Sequence, residues 1–300
     1  MPHLHPPAAV RPLGFSLAAM LLTAAISGPG LAAAAGVSAS PPPSGAPGAS
    51  PTPVPIGAVD HPTDATAVVL RIESGGGFIG PNVQLLGVPP FTLYGNDTVV
   101  YRPATDTTDT GYPPLMTATL STEQVDALLT FALEDGHLAD ARESYPRPVP
   151  DAGSTTFTID AGGVTKRVTV TGLGIGDTNG PDSADLEAFG KLATRLIDFE
   201  QEVASGHVVS SAPYVPTDYR AILVPGADAT NAVAWPWTDL TTDDFSAGSD
   251  GLLLLGNLTA DQAALVTSVP SGGVTGLAVT APDGTTYDLS LRPLLPGDVF

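Results

Sequence analysis

The sequence contains no cysteine. A disulfide framework, a thiolate metal site, a cysteine nucleophile and a thioether lipid anchor are all excluded. Basic residues are scarce: 11 lysines and arginines stand against 31 aspartates and glutamates, a formal charge of -20. A phosphate backbone is held by a basic surface that displaces counterions, so nucleic acid is excluded as a partner. Histidine is scarce as well. Beyond residue 35 only His61, His137 and His207 remain, and the chain has no G-x-S-x-G elbow. Neither a hydrolytic triad nor a histidine-rich zinc site has much to draw on. What is plentiful is glycine (33), proline (31) and hydrophobic residues (43%). Those numbers point to many turns around a real core rather than to a disordered chain.

Residues 15–26 (FSLAAMLLTAAI) form an uncharged, apolar run behind Arg11. Gly28-Pro29-Gly30 breaks it, and Ala33-Ala34-Ala35 offers an A-x-A site. This is the layout of a secretory signal peptide, with cleavage expected before Gly36. Twelve residues span about 18 Å as a helix, short of the roughly 30 Å hydrocarbon core, so a retained anchor is the weaker reading. Residues 36–59 are rich in proline, alanine and serine; seven of the fifteen residues at 41–55 are proline. Such a segment buries nothing and makes a semi-rigid spacer.

Two folded segments are expected after it, residues 60–204 and a smaller one at 205–300. In the first, Ala67 to Ile72 is a β-branched strand and Asn96-Asp97 turns a hairpin. Ser121 and Gln124 form a capping box ahead of an apolar stripe, Val125, Leu128, Leu129 and Ala132. A hairpin turning at Gly162-Gly163 follows. A second helix is expected from Asp182-Ser183, burying Leu186, Phe189, Ala193, Leu196 and Phe199. In the second segment Thr259 and Gln262 repeat the capping box, and Pro282-Asp283-Gly284 turns another hairpin. The match of Leu120-Ser121-Thr122-Glu123-Gln124 to Leu258-Thr259-Ala260-Asp261-Gln262 suggests a diverged duplication. Its rival is that caps and turns look alike for physical reasons. The fold class expected is α+β, with short antiparallel strands, helices on the sheet and two related small units.

The order VVLRIESGGGF, FTLYGNDTVVY, LSTEQVDALL, TTFTIDAGGVTKRVTV resembles a family of uncharacterised exported bacterial proteins, over about residues 67–200. Asn96-Asp97 stands where that family has an Asp-Gly turn, which the turn tolerates. The resemblance implies an exported α+β domain and no particular activity.

Candidate chemistry is thin. Gly75-Gly76-Gly77-Phe78-Ile79-Gly80 is literally G-x-G-x-x-G. Pro81 and the run 86–90 (LGVPP) cannot supply the helix that a dinucleotide needs, so no cofactor is expected. Asp177, Asn179, Asp182 and Asp185 make the densest set of oxygen ligands. Pro181 occupies the third ligand position of the EF-hand spacing, however, and Asp182 or Ser183 serves equally well as a helix cap. Trp235 and Trp237, both tryptophans of the chain, could stack on a sugar or peptide, or plug a core short of aromatics. The expectation is a secreted or surface-associated, non-catalytic binding or display domain with no membrane span after cleavage. An extracellular hydrolase of unfamiliar type and a calcium-stabilised adhesion module are the alternatives.

Overall fold

The computed structural model describes residues 58–77, 84–103, 114–176, 179–248, 251–266 and 273–298. Its architecture is β-rich, built on two mixed sheets of eight and six strands. This corrects the α+β expectation. Several strands are too short to show a period: β5 (Ser144–Tyr145), β10 (Val233–Ala234) and β11 (Ser246–Ala247) have two residues each, and β8 (Ser210–Pro213) reads Ser-Ser-Ala-Pro. Alternation cannot announce a two-residue strand. Pairing with a neighbour makes it one.

The first sheet runs β5-β7-β6-β1-β2-β3-β4-β8. Its other strands are β1 (Val68–Gly76), β2 (Phe91–Tyr94), β3 (Thr98–Tyr101), β4 (Met116–Thr119), β6 (Gly153–Ala161) and β7 (Val164–Thr171). Pairing is antiparallel except for β5 beside β7. Helices α1 (Thr122–Leu133) and α2 (Ser183–Ile197) cover one face. Their apolar stripes meet Ile72, Phe91, Leu93, Val99, Phe157 and Val168, all buried. Phe189 is the keystone: it is fully buried, with its ring edge-on to Tyr145 at 4.9 Å and tilted against Phe157 at 5.9 Å. The capping box of α1 forms as read, with Gln124 N donating to Ser121 Oγ (3.3 Å) and Ser121 N donating to Gln124 Oε1 (2.7 Å).

The second sheet runs β10-β13-β14-β9-β12-β11. It adds β9 (Asp218–Pro225), β12 (Leu254–Thr259), β13 (Val274–Thr280) and β14 (Thr286–Pro293). A five-residue helix α3 (Glu200–Ala204) closes the first segment, and α4 (Ala260–Ala264) is the only α-helix of the second among the described residues. Loops do the covering here. Trp237 and Phe245 are buried over Tyr219, Leu223, Leu258, Leu289 and Leu291. Gly256 is required at its place, since a Cβ there would strike the Phe245 ring.

Residues 54–300 form one compact unit. The first sheet takes in residues up to Pro213, because β8 pairs antiparallel with β4. On the faces turned away from the main cores, the sheets are joined by apolar and polar contacts. Leu295 packs with Tyr94, Val100 and Leu115, while Leu86 packs with Ile222 and Leu253. Asp298 accepts from Arg292 Nη2 (3.1 Å) on β14 and lies 3.9 Å from Arg71 Nη2 on β1. Tyr214 Oη donates to Leu294 O (2.8 Å). Burial pushes Tyr94 and Tyr219 up to about 12 and raises Tyr214 as well.

Candidate functional site

A small concavity lies on the helical face of the first sheet, between α1 and the last turn of α2. Leu120 follows β4, and its N–H donates to Asp97 O (3.0 Å). One turn into α1 come Gln124, Ala127 and Leu128, from the last turn of α2 comes Arg195, and from the start of α3 come Phe199 and Glu202, with His207 beyond. Together they enclose a hollow of about 200 Å3. Phe199 is held at its floor by edge-on contacts with Phe91 (5.1 Å) and Tyr101 (5.2 Å). The floor is apolar and the rim polar. Glu202 receives Arg195 Nε at 3.4 Å and the His207 Nδ1 at 2.9 Å, and Arg195 is stacked on Phe131 at 4.5 Å. Gln124 Oε1 is already engaged in the cap of α1. An apolar cavity of about 150 Å3 accepts a benzene ring, so this hollow suits a six-membered ring or a branched aliphatic group.

The other expected residues fall elsewhere. Asp177 lies outside the described residues. Asn179, Asp182 and Asp185 flank the start of α2 without converging on one point. Asp182 holds the N-cap position, but its carboxylate makes no cap bond and pairs with Arg142 Nη2 at 2.7 Å. Asp185 turns to His137 Nδ1 (3.0 Å) and accepts from Tyr145 Oη (2.9 Å). These two hydrogen bonds, His137's first, hold its carboxyl below the usual range, while burial raises Tyr145. Among the described residues no group of three or more His, Asp or Glu is arranged to hold a metal.

Trp235 and Trp237 face each other, edge-on at 4.8 Å, with Phe245 at 6.0 and 6.4 Å. Their indole N–H groups donate to Leu240 O (2.8 Å) and Gln262 O (2.9 Å). Trp237 is buried and Trp235 half-buried, so the pair acts in the core of the second sheet. Of the G-x-G-x-x-G run, Gly75 and Gly76 end β1 as strand residues, and residues 78–80 lie outside the described ones.

The hollow was not legible in the sequence. Leu128 and Phe199 read as buried-face residues of two helices, and no spacing singles out Leu120 or Glu202. The one local signal was the five-residue spacing of Glu202 and His207 across a helix end. No family model, no curated protein and no solved structure matches this chain.

Proposed function

We propose that the protein is an exported, non-catalytic binding module, carried on the proline-rich segment 36–59, with the hollow at Leu120 and Phe199 as its ligand site. The observation that carries the reading is the hollow itself: an apolar floor ringed by Arg195, Glu202, His207 and Gln124, open to solvent beside the helices. A few convergent polar groups around an apolar cleft are what a small-molecule or side-chain site requires.

A hydrolase reading would start from His137, whose imidazole is oriented by Asp185 as a general base would be. The hydrogen bonds of His61, His137 and His207 run to Pro62 O, Asp185 and Glu202, so no serine or threonine hydroxyl among the described residues is held by an imidazole. That favours binding.

Thermal unfolding in the presence of indole, phenol and isovaleramide tests the site. A saturable rise in Tm is expected for the native chain and none for Ala127→Phe, whose ring would fill the hollow from an exposed helix position. Unchanged Tm with every fragment, or a rise that survives Ala127→Phe, would contradict it. Export is tested separately by the intact mass of protein recovered outside the cell, which is expected to begin at Gly36; recovery with residues 1–35 in a membrane fraction would contradict it.

A further inference from the structure

We propose that β8 and the hollow beside it form one docking surface, whose occupant is an extended basic peptide. The peptide adds to the first sheet as a ninth strand and sets one apolar side chain between Leu120 and Phe199. The inference rests on the binding reading above and names the ligand class for that site.

Among the four strands that end the two sheets, β5, β10 and β11 have two residues each, whereas β8 has four, all exposed. Tyr214 N donates inward to Leu115 O (2.9 Å). Alternation along an antiparallel strand then turns Ser210 and Ala212 toward β4. The N–H and C=O of Ser211 and the C=O of Pro213 face the open side. Val209 and Val215 stand at the two ends of this edge, 65% and 74% exposed. An edge with open backbone groups and exposed β-branched neighbours is a template for strand addition.

The edge is linked to the floor of the hollow through one side chain, Tyr101. Ser211 Oγ lies 3.2 Å from Tyr101 Oη, and the Tyr101 ring packs edge-on against Phe199. A strand laid outside β8 therefore presents alternate side chains to the helical face, where the cavity opens. Charge selects the partner. Within the rim Glu202 is shared by Arg195 and His207, so the selection comes from the chain as a whole: 31 acidic against 11 basic residues attract lysine and arginine and repel acidic peptides. Pro213 carries no N–H, so pairing stops there and the edge does not extend into an open-ended sheet.

A phage-displayed library of random seven-residue peptides, selected on the purified protein, tests this. Enriched peptides are expected to carry Lys or Arg and a shared apolar residue. Synthetic copies should lose at least tenfold in affinity for Ser211→Pro, which removes the outward amide and keeps the inward bonds, and for Ala127→Phe. Should Ser211→Pro fail to fold, N-methylation of alternate peptide amides replaces it: one set must abolish binding and the other must not. If Ala127→Phe weakens the peptide and neither Ser211→Pro nor N-methylation does, strand addition is wrong and the hollow stands. No enrichment, or enrichment of acidic peptides, overturns the peptide while fragment binding still judges the hollow on its own. Self-association of the chain in sedimentation, abolished by Ser211→Pro, would make a second copy the occupant and overturn the proposal.

Discussion

The two sheets share a local grammar and differ in wiring. Each has a first strand near its middle, β1 or β9, a capped helix, and a hairpin that docks beside that strand. In the first sheet the hairpin docks through its first strand, β6 against β1. In the second it docks through its second strand, β14 against β9. The two T/S-x-x-Q boxes both form, yet α1 runs twelve residues and α4 five. A cap nucleates a helix but does not set its length; the apolar stripe packed beneath it does. Behind Gln124 come Val125, Leu128, Leu129 and Ala132, all buried, whereas behind Gln262 Ala263 is buried and Leu265 is exposed. The reversed hairpin order weighs against a duplication and for convergence on the same caps and turns.

The largest expected effect comes from breaking the better-roofed sheet. Phe189→Ala removes a ring wedged between Tyr145 and Phe157 and should cost about 3–5 kcal/mol. Both tryptophans pack on the second sheet, so indole fluorescence reports that sheet while far-ultraviolet dichroism is weighted to α1 and α2. In denaturant, both midpoints of Phe189→Ala should fall together, because the sheets form one unit. A fluorescence midpoint left at the native value would mean that the sheets unfold independently.

Asp298→Ala should come next, at roughly 2–4 kcal/mol, because it leaves Arg292 and Arg71 half-buried around a lost carboxylate. It should also separate the two probes, since Asp298 ties β1 to β14. Coincident transitions in this variant would show that the apolar contacts of Leu295 and Leu86 suffice.

Removing the caps sharpens the contrast between the helices. Ser121→Ala should cost about 1 kcal/mol, and Thr259→Ala about 0.5 kcal/mol because only one turn of helix depends on it. Equal losses would argue that α4 matters to its sheet as much as α1 does.

The smallest effect is acid-limited. The carboxyl of Asp185 is depressed by His137 and Tyr145. Its contribution is therefore full above the unfolded value, about 3.9, and is lost as pH falls through the lower folded value. Asp185→Asn should flatten the acid limb of the stability curve below about pH 4. An acid limb as steep as that of the native chain would contradict it.

Long elements were readable because they repeat. The stripes of α1 and α2, the capping boxes and the turn at Asn96-Asp97, where Asp97 takes a φ of 61°, all follow from local chemistry. The class was misjudged because the edge strands carry no pattern of their own: Ser210–Pro213 looks like a linker until β4 pairs with it. The pairing of His137 with Asp185 spans 48 residues and Tyr145 to Asp185 spans 40, so no spacing rule reaches them. The hollow was hidden for a third reason: its floor residues Leu120, Leu128 and Phe199 are themselves buried members of the first core, and nothing in their spacing separates them from the rest of it.

Methyl-resolved NMR of the native chain during titration with indole tests the central claim most directly. The account predicts saturable shifts confined to the methyl groups of Leu120, Ala127 and Leu128, with the methyls of Leu258 and Leu289 in the second sheet unmoved. Shifts that spread over both sheets, or that centre on the residues packed around Trp237, would contradict it.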